Sequence, residues 1–177
     1  GNIDNDFGGY IYDDEGVKAK DTVLIKKGIL VKYLTSRETA KTFNLPLSGN
    51  ARMEFPNFHP IVRMTNTFIK EGDYKVDELL KEMKEGIYLK GTHGGAVDTL
   101  MGNFQFSAVE GYKISKGEIK EPLNMVTLGG KVLETLHNIK GVSDKRDGDA
   151  PGRCGKRGQS VRVGGHNPHI WIKNAYI

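Results

Sequence analysis

One residue stands out for chemistry. Cys154 is the only cysteine in the 177-residue chain. It lies in the stretch Pro151-Gly152-Arg153-Cys154-Gly155-Lys156-Arg157-Gly158-Gln159-Ser160-Val161. A single thiol cannot close an internal disulfide, so its use is packing or chemistry. A thiolate can serve as a metal ligand or a nucleophile. The glycines flanking it let the backbone turn tightly and keep bulk away from the sulfur. The competing reading is a small buried residue in a tight loop.

The other candidates are weaker. His93 stands beside Gly94 and Gly95, where a substrate could approach, but a lone loop histidine has the same appearance. His166 and His169 are three residues apart and could share a metal on a helix. Pro168 and β-rich flanks predict an extended segment instead, which sends the two rings to opposite faces. Asp13-Asp14-Glu15 could bind a cation, yet an exposed acidic turn explains it better. Lys145, Arg146, Arg153, Lys156, Arg157 and Arg162 cluster in a polar, glycine-rich stretch with Asp144, Asp147 and Asp149 among them. That mixture reads as a solvated loop or as recognition of an acidic group. No G-x-S-x-G elbow, no GxxxxGK[ST] phosphate loop and no H-E-x-x-H pair occurs.

The elements that must position these residues are mostly strands. Gly accounts for 23 of 177 residues, well above the usual ~7%, with no collagen-like period. Thr22–Leu34 reads as a β-hairpin turning at Gly28. Ser36 is a predicted N-cap for a short helix over 37–43, ended ahead of Pro46. The stretch 47–60 is irregular, with Phe55 and Phe58 expected to fold back on the body. Residues 61–69 read as a strand, with Val62, Met64, Asn66 and Phe68 on one face and Arg63 on the other. Val76, Leu79, Leu80 and Met83 form the one-sided stripe of a helix over 76–85. Strands follow at 87–89, 103–108, 112–119 and 125–128. A second amphipathic helix covers 131–139, with Val132, Leu136 and Ile139 inward. The polar loop 144–158 separates it from closing strands at 160–163 and 169–172. The segment around Gly28 echoes that around Gly117, which two similar hairpins account for. The fold class is therefore α+β and strand-dominated: a curved, largely antiparallel, barrel-like sheet system with two or three short helices.

Net charge is +4 and charges of both signs alternate along the chain, a pattern that argues against nucleic acid. Mean hydropathy is -0.46 and no apolar run approaches the ~20 residues that span a bilayer. The opening residues lack the plan of a signal peptide, and the single cysteine suits a reducing compartment, so a cytoplasmic location is expected.

Several segments resemble the C-terminal domain of the TldD/PmbA family, also called modulators of DNA gyrase. They are Asp13-Asp14-Glu15-Gly16-Val17 with Thr22-Val23-Leu24-Ile25; Ser48-Gly49-Asn50-Ala51-Arg52; Arg63-Met64-Thr65-Asn66-Thr67; and Gly94-Gly95-Ala96-Val97-Asp98 with Phe104-Gln105-Phe106-Ser107-Ala108. The most specific is Cys154-Gly155-Lys156-Arg157-Gly158-Gln159-Ser160-Val161, which favours the TldD branch. The matches run in the family's order over nearly the whole chain. The resemblance implies one C-terminal domain over 1–177 of a zinc-dependent peptidase acting on peptides or unfolded protein. In that family two histidines of an H-E-x-x-x-H helix in a preceding domain join a cysteine at the position of Cys154. Three protein ligands leave a fourth place for water.

This chain has no H-E-x-x-x-H. It therefore resembles an isolated C-terminal part without catalytic residues of its own, the general base lying in the missing domain and zinc absent from the piece alone. Arg63, Asn66, His93, Gly94 and Gly95 are the expected substrate-binding residues. Pairing as a homodimer or with a paralogue is expected, since the two branches are alike. A non-catalytic peptide-binding subunit and a gyrase-associated protein are the competing readings. The purified 177-residue chain should show no chelator-sensitive peptide cleavage; turnover abolished by a chelator would contradict this.

Overall fold

A computed structural model describes residues 6–147 and 151–177. Asp149 of the charged cluster and the opening residues 1–5 lie outside the described residues. In chain order the elements are β1 (Ile25–Lys26), β2 (Ile29–Leu30), α1 (Arg37–Phe43), β3 (Ala51–Arg52), β4 (Ile61–Val62), α2 (Val76–Met83), β5 (Gly86–Lys90), β6 (Gly94–Asp98), β7 (Asn103–Ser107), β8 (Glu110–Ser115), β9 (Glu118–Leu123), β10 (Thr127–Lys131), α3 (Val132–His137), β11 (Ile139–Asp147), β12 (Gly152–Lys156), β13 (Gln159–Val163) and β14 (Asn167–Ile172). The fold is strand-dominated α+β, and every strand pair is antiparallel. Among the described residues the strands form separate two- and three-stranded sheets, so the barrel-like expectation does not extend to a closed barrel.

The chain divides into two compact units, Gly1–Ile69 with Gly148–His166, and Lys70–Asp147 with Asn167–Ile177. The first holds the hairpin β1–β2, helix α1, the pair β3–β4 and the hairpin β12–β13. Its interior is polar to an unusual degree: Thr35, Ser36, Ser48, Asn50, Arg63, Thr65 and Asn66 are buried beside Ala19, Ala40, Ala51, Val161 and Val163. Directed hydrogen bonds therefore do much of the positioning. Thr35 N–H donates to Ser48 Oγ at 2.7 Å while Ser48 N–H donates to Thr35 Oγ1 at 2.9 Å. Ser36 caps α1 as expected, with Thr39 completing a capping box. The apolar residues of the first hairpin do not join this interior; Ile29 is 66% exposed.

Asp13 corrects the expectation of an exposed acidic turn. It is buried, and its carboxylate accepts from the main-chain N–H of Glu15, Val17 and Ala51. Asp14 accepts from Met53 N–H and Glu15 from Arg37 N–H. The acidic run is thus engaged by backbone donors, the buried N–H of Ala51 among them. Phe55 and Phe58 also depart from expectation: both are exposed and lean on each other at 6.3 Å.

In the second unit β10-β7-β6 and β5-β8-β9 form three-stranded sheets, and β11 pairs with β14. Leu79 of α2 is buried, as its stripe requires. Helix α3 is shorter than expected and has no buried residue; Val132 is 38% exposed. The Gly28 and Gly117 hairpins do share a cause. Lys27-Gly28 and Lys116-Gly117 both place two successive residues at positive φ, as does Arg157-Gly158. Two successive positive φ values define the tight turn that matches strand twist.

Replacing Asp13 by Ala removes one acceptor from three backbone donors and should cost about 3 kcal/mol in urea unfolding. A change below about 0.5 kcal/mol would contradict the assigned role.

Candidate functional site

Cys154 lies on a strand, a correction to the loop expected over 144–158. β11 runs to Asp147, and β12 and β13 form a regular hairpin with Cys154 opposite Val161 and Gly155 opposite Ser160. Gly152 and Gly155 disguise the strand in the sequence, because glycine is depleted from strands. The alternation of β13 reveals it: Gln159, Val161 and Val163 are buried while Arg162 is exposed. Cys154 is half-buried and free.

Arg63 lies inside this unit, 1% exposed, and anchors the hairpin from within. Its Nη2 donates to the main-chain carbonyl of Cys154 and to that of Gln159 at 3.2 Å. Its own backbone is fixed by Asn50: Arg63 N–H donates to Asn50 O at 2.9 Å, and Asn50 Nδ2 returns a bond to Arg63 O at 3.2 Å. Nε and Nη1 of Arg63 find no acceptor among the described residues. A buried cation with unused donors is costly, and such residues cluster at functional sites. Further polar clamps hold the hairpin. Gln159 Nε2 donates to His59 O at 3.1 Å, Ser160 N–H donates to Glu54 Oε2 at 2.7 Å, and Lys156 Nζ donates to Val62 O at 3.0 Å.

Arg52 adds a second guanidinium. It packs over the Tyr10 ring at 5.0 Å and donates to Met64 O at 2.8 Å. Burial lowers its pKa, and the like charge of Arg63 lowers it further, while Tyr10, Asp14 and Cys154 oppose the shift. Burial likewise raises the Tyr10 pKa far above its ordinary value, leaving a neutral phenol that donates to Gly49 O at 2.6 Å.

Of the expected site residues, Arg63 and Asn66 share the first unit with Cys154, and both are buried. The strand alternation expected over 61–69 fails at Asn66, which turns inward beside Arg63 and Thr65. The sheet there ends at Val62, and Asn66 instead bridges in parallel to Gly164. His93, Gly94 and Gly95 belong to the second unit and open strand β6, which is exposed along its length. The two C-terminal histidines take separate partners: His166 faces Asp6, and His169 Nε2 meets Tyr88 Oη at 2.9 Å. Sequence reasoning gave no site role to Asp6, Asn50 or Gln159, although Asn50 and Gln159 lie within segments that carry the family resemblance. No three His, Cys, Asp or Glu side chains gather as a metal site among the described residues. The chain thus presents one sulfur donor on a rigid, polar-clamped hairpin.

Over residues 1–177 the sequence matches the family described as the PmbA/TldA metallopeptidase C-terminal domain, and it belongs to that family. A metalloprotease of Methanothermobacter thermautotrophicus is 52% identical over 97% of this chain and 37% of its own length. A zinc metalloprotease TldD homolog of Saccharolobus solfataricus is 40% identical over 94% of this chain and 37% of its own. The chain therefore spans little more than a third of these relatives. The crystal structure of TldE from Thermococcus kodakarensis has the same fold, with a TM-score of 0.70, 23% identity, and coverage of 91% of this chain and 34% of that one. A Thermotoga maritima protein named a candidate modulator of a DNA gyrase superposes with a TM-score of 0.64 at 25% identity, covering 88% of this chain and 34% of that one. No helix among the described residues is long and apolar enough to cross a membrane.

Replacing Arg63 by Met should loosen the hairpin selectively. Amide hydrogen exchange in 152–163 should accelerate at least about tenfold while α2 stays protected. Uniform exchange across the chain would contradict a local anchoring role.

Proposed function

We propose that this chain is the C-terminal part of a zinc-dependent metallopeptidase that hydrolyses peptides or unfolded protein, and that Cys154 is its contribution to the metal centre. The observation that carries the reading is the geometry of Cys154: half-buried on β12, with its carbonyl gripped by Arg63. The donor chemistry fits, since a thiolate is a preferred zinc ligand and one open coordination position lets the metal acidify a water. A single described sulfur cannot hold zinc tightly, so the remaining ligands and the general base fall to an H-E-x-x-x-H helix elsewhere in the full-length protein. Arg63 acts as a positioning residue: its bonds to the carbonyls of Cys154 and Gln159 fix the direction in which the sulfur is presented.

Strand β6 supports the peptide part of the reading. Among the described residues it is an edge of the sheet β10-β7-β6, and it is exposed along its length. An extended substrate could add to such an edge through main-chain bonds, with His93 at its start. The full-length protein would work in a reducing compartment, the cytoplasm, as a homodimer or paired with a paralogue. A gyrase-linked role has less support, because the charges are not segregated.

Metal analysis of the full-length protein tests the proposal. Wild type should carry about one zinc per chain, and folded Cys154→Ala should lose most of it together with peptide cleavage. Equal zinc in both would contradict the ligand role and favour a peptide-binding subunit.

A further inference from the structure

A second polar cluster lies in the same unit as Cys154 but uses none of the residues assigned above to zinc. Three segments build it: the turn at Asp6–Gly9, the stretch Thr65–Thr67 and the stretch Gly164–His166. The turn is closed by Gly9 N–H donating to Asp6 O at 2.8 Å. Gly164 is laid against Asn66 by two main-chain bonds, Gly164 N–H to Thr65 O at 3.2 Å and Thr67 N–H to Gly164 O at 3.0 Å. Phe7, under the Arg162 guanidinium at 5.6 Å, pins the turn to β13.

Buried oxygen and nitrogen atoms converge there. The Asp6 side chain is 1% exposed and Asn66 is 8% exposed. Neither carboxylate oxygen of Asp6 nor either amide atom of Asn66 has a hydrogen-bond partner among the described residues. Both residues close on one glycine: a Cβ at Gly164 would lie 2.5 Å from Asn66 Oδ1 and 2.6 Å from Asp6 Oδ1. The backbone has given up side-chain volume where these oxygens meet. His166 adds a nitrogen, its Nε2 standing 3.2 Å from Asp6 Oδ2 and its side chain 31% exposed.

A buried carboxylate without hydrogen bonds calls for a cation beside it, and the His166 imidazole stands by Oδ2. The 3.2 Å between His166 Nε2 and Asp6 Oδ2 suits an ion shared by that pair. Two donors about 2.0–2.1 Å from an ion in tetrahedral array lie about 3.3 Å apart. A set of one carboxylate, one amide oxygen and one imidazole is of mixed O/N type, which suits a borderline divalent transition ion rather than calcium or magnesium. We propose that Asp6, Asn66 and His166 form a second divalent-metal site, free of sulfur, that ties the Asp6–Gly9 turn to the segment carrying Arg63. Its role is structural: binding holds the three segments together.

Cobalt(II) is the probe, because a sulfur-free site gives visible ligand-field bands without thiolate charge transfer. The 177-residue chain carrying Cys154→Ser removes the thiol and contains no H-E-x-x-x-H pair to compete. It should bind about one cobalt per chain with such bands and unfold at a higher temperature when loaded. Adding Asp6→Asn or His166→Gln should weaken that binding at least tenfold. If Asp6→Asn does not fold, the partly exposed His166→Gln decides. No cobalt uptake by folded Cys154→Ser would overturn the site and leave Asp6 and His166 as a plain ion pair. Uptake unaffected by His166→Gln would overturn it equally. Because the thiol is absent throughout, failure here leaves the zinc role of Cys154 standing, and loss of that role leaves this site standing.

Discussion

The grip of the buried Arg63 guanidinium on the carbonyls of Cys154 and Gln159 is the interaction on which this architecture turns. The two carbonyls lie near the turn end of one hairpin, on opposite strands, so a single planar donor sets both strands at once. Arginine suits the task because its donors form a rigid fork, whereas lysine would offer a flexible point charge. The cost of burying that charge is high and is only partly offset by two hydrogen bonds. A fold organised merely for stability would more often place a large aliphatic residue there. A charged anchor on the backbone of a lone thiol is understandable if the direction of the sulfur matters more than the last increment of stability.

The same economy runs through the first unit. Its apolar interior consists of alanines and a few valines, too little to position loops by burial alone. Asp13, Thr35, Ser48, Asn50 and Gln159 instead capture backbone donors and acceptors across long sequence separations. Such contacts are directional, so they fix geometry more sharply than hydrophobic packing does. The second unit is assembled more conventionally, from antiparallel sheets with Leu79, Ile114 and Val126 buried.

Legibility followed the range of the forces involved. Helix α1 could be read closely because its cap, Ser36, is local, and α2 because its stripe has a helical period. The tight turns at Gly28 and Gly117 were legible for the same reason. The Cys154 strand was hidden by its glycines and by charges that suggested a solvated loop; its pairing with β13 is what makes it a strand. The burial of Asp13 and Asn66 was invisible because their partners, Ala51 and Gly164, are 38 and 98 residues away in sequence. Helix α3 was expected to bury one face, yet Val132 and Leu133 remain exposed, and nothing in the described residues covers them. The chemistry proposed for the thiol rests on family resemblance, since a lone cysteine carries no metal-ligand spacing.

Zinc K-edge absorption spectroscopy of the full-length protein addresses the central claim most directly, because it reads the atoms bound to the metal. The account predicts one sulfur scatterer at about 2.3 Å beside nitrogen or oxygen ligands. That sulfur shell should vanish in Cys154→Ala. A shell of nitrogen and oxygen alone in the wild-type protein would contradict it and return Cys154 to a packing role.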